Sequence, residues 1–325
     1  MPLYPLTFQP RFKERIWGGR ELERLFGKKL PPGAPIGESW EISDRPGDAS
    51  VINNGPLAGK DLRWLMENHA PDVLGRARPA AQGRFPLLCK ILDAREKLSL
   101  QVHPPADKAA AMGGEPKTEI WFIADASPQA ELFVGLKRQV TRSEFEKKIA
   151  DGSVADCFHQ LPVRAGDAMF LPSGRVHAIG AGLVIFEIQQ NSDTTYRVFD
   201  WNRVGLDGQP RELHVAQSLA CVDFADFEPE LVRTQFTFTG PVRQRILVDD
   251  ALFKAEAWKM ERRAQAALAP ERLQIVAVTS GHVEVKSGST AVSLPAGRFC
   301  LLPACLKQSG IRAKSNAAFL RVEAN

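Results

Sequence analysis

The 325-residue chain has no run of 18 uncharged apolar residues, no paired-cysteine motif and no excess of one charge. The first absence argues against a membrane-spanning helix. The amino terminus, MPLYPLTFQPRFKERIWGGR, carries prolines and charges where a secretion signal needs an apolar stretch. The five cysteines, Cys89, Cys157, Cys221, Cys300 and Cys305, are odd in number, scattered and without CxxC spacing, which argues against a zinc ribbon or redox dithiol. They read as reduced, mostly buried thiols of a cytoplasmic protein. Lys+Arg number 42 against 38 Asp+Glu, a formal charge of +4 without long basic runs, so a nucleic-acid partner has little support. No GxGxxG, P-loop or credible Ser-His-Asp order signals nucleotide or hydrolase chemistry.

What is present suits a globular chain: 44% hydrophobic and 25% charged residues, long enough for a large core and roughly two domains. Short runs rich in Val, Ile, Leu and Phe at 85–92, 97–102, 118–123, 168–171, 183–189 and 274–278 read as strands of antiparallel sandwiches or barrels. Helices are expected at 57–74, where Leu62, Leu65 and Met66 have helical spacing, at 141–150 behind the Thr141-x-x-Glu144 capping pattern, and at 210–222. The fold class is mainly β, a β-dominant α+β arrangement.

An internal repeat organises the chain. Residues 166–177 read G-x5-P-x-G-x2-H, ending in His177, while 297–308 keep G-x5-P but place Cys305 at the second glycine and Gln308 at the histidine. Upstream, Glu119-Ile-Trp-Phe-Ile aligns with Gln274-Ile-Val-Ala-Val, the extra length of the first copy falling around 141–165. Two β units are expected, the second without ligands.

The G-x5-P-x-G-x2-H element resembles the second sequence motif of the cupin superfamily, small antiparallel β-barrels that bind a metal inside. Four stretches narrow the likeness: KERIWGGR (13–20), GESWE (37–41), LSLQVHP (98–104) and EIQQNSDTTYRVFDW (187–201). Together they strongly resemble the type I mannose-6-phosphate isomerases, zinc-dependent enzymes, in their short bacterial form. The resemblance implies two cupin-like antiparallel β-barrel or jelly-roll units with helical insertions. A catalytic metal-binding domain would span 1–240 and a degenerate domain 241–325. It also implies one Zn2+ per chain and interconversion of mannose 6-phosphate and fructose 6-phosphate through a cis-enediol.

The residues themselves are consistent with this. In Gln101-x-His103 both side chains share one strand face, Glu119 opens the next strand and His177 closes a Gly/Pro turn, an N/O set that suits zinc. His69, His159, His214 and His282 read as ordinary hydrogen-bonded histidines. By resemblance Arg197 is the catalytic arginine, although it could instead pair with Asp193 or Asp200. Ser99, Lys117 and Lys90 recognise phosphate, and Glu187 and Glu38 line the sugar site, either able to act as acid/base. The partner is a small-molecule sugar phosphate, without nucleic acid or membrane, and the chain acts as a monomer or weak homodimer. The competing readings are a non-catalytic cupin that binds a sugar phosphate for regulation, and a metal oxygenase, which would prefer a facial His/His/carboxylate set and iron.

Overall fold

Among residues 2–325, which the computed structural model describes, twenty-one strands and five short α-helices alternate. The first eleven strands are β1 (Arg11–Gly19), β2 (Ile36–Ile42), β3 (Leu87–Ala94), β4 (Leu100–Val102), β5 (Glu119–Ala126), β6 (Glu131–Leu136), β7 (Phe158–Pro162), β8 (Ala168–Leu171), β9 (His177–Ile179), β10 (Leu183–Gln190) and β11 (Tyr196–Phe199). The rest are β12 (Thr237–Thr239), β13 (Val242–Asp249), β14 (Phe253–Met260), β15 (Gln265–Leu268), β16 (Gln274–Ser280), β17 (His282–Ser287), β18 (Thr290–Pro295), β19 (Phe299–Leu302), β20 (Ser309–Ala313) and β21 (Ala317–Ala324).

These strands form two pairs of sheets. A six-stranded sheet, β1-β2-β3-β10-β5-β8, packs on a five-stranded one, β11-β4-β9-β6-β7, through Trp121, Ile123 and Ile185 against Leu132, Val134 and Ile179. The second pair repeats the plan: β12-β13-β14-β21-β16-β19 packs on β15-β20-β17-β18 through Val276, Val278 and Phe319 against Val283, Val285 and Ile311. The two six-stranded sheets then share a core in which Ile91, Ile120 and Phe186 meet Phe253, Ile275 and Leu320. A central strand is therefore covered on both faces, which is why β3 reads as an unbroken apolar run rather than an alternating one. No ladder joins the sheets of a pair, so each unit is an open antiparallel cupin-like sandwich.

The repeat is visible in the register. Glu119 pairs with Leu171 across β5 and β8, and Gln274 pairs with Leu302 across β16 and β19, the same two positions of the two copies. Gly166 and Gly297, which open both motifs, have φ of 92° and 77°, left-handed values that glycine adopts without strain. The extra length sits between β6 and β7, where α4 (Arg142–Asp151) is inserted with Thr141 accepting from the Glu144 N–H at 3.2 Å; β17 and β18 are joined by only residues 288–289.

The expected helices need two corrections. The one expected from 57 begins at Leu62 (α2, Leu62–Leu74), because Asp61 caps the Trp64 N–H at 2.7 Å. The one expected at 210–222 is only α5 (Val215–Cys221). Residues 210–214 are held extended: Pro210 bridges to Val204, the Arg211 guanidinium grips Asp200, and the Glu212 carbonyl accepts from Arg197 at 2.7 Å. Two helices had no sequence expectation, α1 (Glu21–Phe26) and α3 (Ala106–Ala109).

Candidate metal centre and active site

Three strands bring the candidate ligands together. Gln101 on β4 pairs directly with His177, the first residue of β9, and Glu119 opens β5 on the facing sheet. His103 lies one residue past β4, and Leu100 and Val102 turn the other way into a separate apolar cluster, as strand alternation requires. One donor atom each from His103, Glu119 and His177 lies within 4.8 Å of the others. His177 Nε2 is 3.4 Å from Glu119 Oε1, His103 Nε2 is 3.8 Å from Glu119 Oε2, and the Gln101 amide is 3.3 Å from His177 Nε2. An amide turned end for end offers its oxygen to the same point.

The donor set fits a divalent metal on its own chemistry. His103 Nδ1 donates to the Thr194 carbonyl at 2.9 Å and His177 Nδ1 to the Arg175 carbonyl at 3.0 Å, so both rings present an unprotonated Nε2 inward. His103 Nε2 and Glu119 Oε1 are buried without a hydrogen-bond partner, a costly arrangement that a cation relieves, while Glu119 Oε2 meets the Lys117 ammonium at 3.0 Å. Burial, reinforced by the Lys117 charge, holds the His177 pKa down at about 3 and pushes His103 well below its usual value, so neither ring competes for a proton at neutral pH. Burial raises Glu119 to about 7 against the pull of Lys117, whose Nζ is 3.0 Å away.

Beside this cluster opens a cavity of about 590 Å3. Lys90, Lys117, Arg15, Arg197 and Arg211 bring positive charge to its wall, Glu38 and Glu187 carry negative charge, and Ser99 and Gln101 complete the sequence-expected set. Lys90, 4% exposed, lies between Glu187 Oε1 at 3.2 Å and Glu38 Oε2 at 3.5 Å. Burial would raise Glu38, but Lys90 and Arg15 pull it down to about 2; in Glu187 the same contest, with Lys90 and Lys117 opposing burial, also ends below the ordinary value. Glu38 is held by three donors, Arg15 Nε at 2.6 Å, Trp40 Nε1 at 2.7 Å and Lys90, whereas Glu187 accepts from Trp121 Nε1 at 2.9 Å and meets Lys90.

With this geometry in hand, likenesses to known proteins can be weighed. The family model described as phosphomannose isomerase type I, catalytic domain, matches residues 6–117. A mannose-6-phosphate isomerase of Bacillus subtilis is 35% identical over 306 residues, 93% of this chain and 94% of that one. The chain belongs to the type I phosphomannose isomerase family. A mannose-6-phosphate isomerase of Streptococcus mutans is 34% identical over 304 residues, 93% of each chain. The crystal structure of a Bacillus subtilis mannose 6-phosphate isomerase superposes with a TM-score of 0.89 at 31% identity, covering 98% of this chain and 99% of that one. A zinc-bound mannose 6-phosphate isomerase structure shares the fold at 17% identity and a TM-score of 0.78.

Two of the motifs that carry the family likeness, KERIWGGR and GESWE, have a visible role. In KERIWGGR, β1 leaves its register between Glu14 and Gly19, both of which pair with Ile36, so residues 15–18 loop out and Arg15, Ile16 and Trp17 line the cavity. Gly37, which opens GESWE, lets the loop close: a Cβ there would stand 2.6 Å from both Arg15 Cβ and Trp17 Cζ3. Asp193, Thr195, Leu206 and Asp207 also line the cavity without having been expected, and the Thr194 carbonyl orients His103. Asp193, Thr194 and Thr195 lie within EIQQNSDTTYRVFDW, and Leu206 and Asp207 follow it by a few residues, which was their only signal. The ion pair considered for Arg197 is absent among the described residues: Asp200 is taken by Arg203 and Arg211, and Arg197 donates to the Glu212 carbonyl. Ser99 precedes β4 rather than lying in it, yet reaches the cavity with Gln101.

Proposed function

We propose that this family member is a zinc-dependent aldose–ketose isomerase that interconverts mannose 6-phosphate and fructose 6-phosphate through a cis-enediol. The carrying observation is the buried His103–Glu119–His177 cluster, with His103 Nε2 and Glu119 Oε1 unpartnered, opening on a cavity lined by lysines, arginines and the buried carboxylates Glu38 and Glu187. Gln101, His103, Glu119 and His177 would hold one zinc ion. When bound, zinc supplies a Lewis-acidic charge that favours the oxyanion of an enediol.

The remaining work falls to the chain. Arg197, with Nε unpartnered, and Lys117 face the region where negative charge develops, and fixed cations in a water-poor site stabilise such charge without reorganising. Glu187 is the better proton carrier between C2 and C1, because the lone pairs of Glu38 are engaged by three donors that make it an anchor for Lys90 and Arg15. Ser99 and Lys90 recognise the phosphate together with Lys117. Ile16, Trp17, Leu92 and Leu98 form an apolar wall that limits water around the reactive intermediate.

The second sheet pair supports a division into a catalytic unit, proposed over 1–240, and a ligand-free unit, proposed over 241–325, with β12 (Thr237–Thr239) joining the second pair just ahead of that boundary. At the positions of Lys90 and Glu187 stand Glu256 and Arg321, with the charges exchanged, and Arg321 donates to Glu256 at 2.8 Å and to Gln274, the counterpart of Glu119, at 2.8 Å. A self-satisfied network replaces the open donor set there. Among the described residues no helix is long and apolar enough to cross a membrane. We take the enzyme to be cytoplasmic and to act on its small substrate as a monomer or weak homodimer. The enediol is tested by turnover in deuterated water: proton transfer through Glu187 in exchange with solvent puts deuterium at the C1 or C2 carbon of recovered sugar phosphate, and turnover with none incorporated that Glu187→Gln also leaves unaltered refutes it.

A further inference from the structure

The two loops that feed the metal-site cavity also feed a second cleft. Lys117 lines the cavity while Glu115 and Pro116 line the cleft; Asp193 and Thr195 line the cavity while Gln190 and Asn191 line the cleft. This second space, of about 400 Å3, lies at the seam of the two sheet pairs, closed on the other side by Ala251, Leu252 and Asn325. It shares no lining residue with the metal-site cavity.

Its chemistry is that of an anion receptor. Arg45, Arg78 and Arg84 face it, against one acidic side chain, Glu115, with the Arg78 backbone N–H donating to the Asn325 main-chain oxygen at 3.1 Å. That carboxylate is already engaged, with Oε2 2.6 Å from Arg45 Nη1. Arg84 rests on the fully buried Asp44 at 3.1 Å, which Arg63 also approaches at 3.4 Å, and Arg78 enters no ion pair among the described residues. Asn191, 6% exposed, commits its amide N–H to the Asp44 carbonyl at 3.3 Å and leaves Oδ1 buried without a donor. Unspent guanidinium N–H groups, those of Arg78 above all, call for an anionic ligand.

The geometry points to a second ligand site in this cleft for a small phosphate-bearing anion, its phosphate met by Arg45, Arg78 and Arg84. The cleft is linked to the metal centre by hydrogen bonds. Arg45 clamps both loops, through the Asn191 carbonyl at 2.8 Å and Glu115. The Glu115 N–H donates to Thr194 Oγ1 at 3.0 Å, its carbonyl accepts from Ser192 Oγ at 3.1 Å, and the Thr194 carbonyl holds His103 Nδ1. A phosphate that draws Arg45 from Glu115 therefore bears on the loop that orients a metal ligand. The site rests on its own residues and not on the reaction assigned to the cavity.

The test is calorimetric titration of the zinc-loaded protein with glycerol 3-phosphate, and with inorganic phosphate as the bare anion. A saturable equivalent should persist in Lys117→Met and weaken about tenfold in Arg78→Gln, as loss of one charge-assisted contact implies. Binding that Lys117→Met abolishes and Arg78→Gln leaves intact would assign the anion to the metal-site cavity and overturn the proposal, as would the absence of saturable binding. Saturating glycerol 3-phosphate should also change the rate at which a chelator strips zinc from the wild type and leave that of Arg78→Gln unaltered. Equal stripping rates with and without it in the wild type would overturn the linkage.

Discussion

Lys90→Met removes the one ammonium between two buried carboxylates and leaves a side chain of similar length. In the wild type, Glu38 is lowered from its ordinary 4.5 to about 2, with Lys90 the largest influence against burial. At about 1.4 kcal/mol per unit, that shift corresponds to roughly 3 kcal/mol of stability. Because the folded value is depressed, this contribution is complete above about 4.5 and fades as pH falls toward about 2. Without Lys90, burial prevails over Glu187 and presses on Glu38, and carboxylates whose folded pKa rises cost more stability as pH increases. Stripping one partner from a buried pair costs about 3–5 kcal/mol, in line with the value from Glu38. Urea unfolding of zinc-loaded wild type and variant should show that loss near about pH 7 and a clearly smaller one near about pH 5, with Lys90→Arg close to wild type. A loss below about 1 kcal/mol at both pH values would mean that the Lys90 ion pairs are worth no more than exposed ones, and would refute the reasoning.

His177→Ala should lose bound zinc and turnover together, whereas Arg197→Ala should keep its zinc and lose turnover; metal analysis beside steady-state kinetics separates the two, and normal turnover in Arg197→Ala would remove it from the mechanism. Gln308 is exposed and stands where the second copy lacks a ligand, so Gln308→Ala should leave zinc content and rate unchanged, and loss of metal would mean that the wrong unit was taken as catalytic. Gly37→Ala should cost about 1–3 kcal/mol by overpacking against Arg15 and Trp17 and should raise KM more than it lowers kcat; an unaltered melting temperature would contradict the close approach.

The strands that reach the site were legible because both faces of the six-stranded sheet are buried, which turns β3, β5 and β10 into apolar runs bounded by turns. The ligand types were legible from the i, i+2 spacing of Gln101 and His103 and from the repeat, whose register in the folded chain matches Glu119 with Gln274. Other features depended on contacts distant in sequence. Residues 210–214 carry no local signal against a helix, and the Pro210–Val204 bridge, the ion pair of Arg211 with Asp200 and the hydrogen bond from Arg197 to the Glu212 carbonyl keep them from forming one. The cavity face of Arg15 and Trp17 arises from a register shift against Ile36 that no periodicity reveals. The charge exchange from Lys90 and Glu187 to Glu256 and Arg321 becomes visible only once β3, β10, β14 and β21 are paired.

The central claim is that one metal-dependent site performs the isomerisation, and a coupled assay for fructose 6-phosphate formed from mannose 6-phosphate tests it most directly. The purified protein is assayed as prepared, after chelation and after zinc is restored. Turnover that disappears with the metal and returns with zinc is the expected result; absence of turnover at full zinc occupancy, or turnover indifferent to chelation at measured loss of metal, would contradict the account.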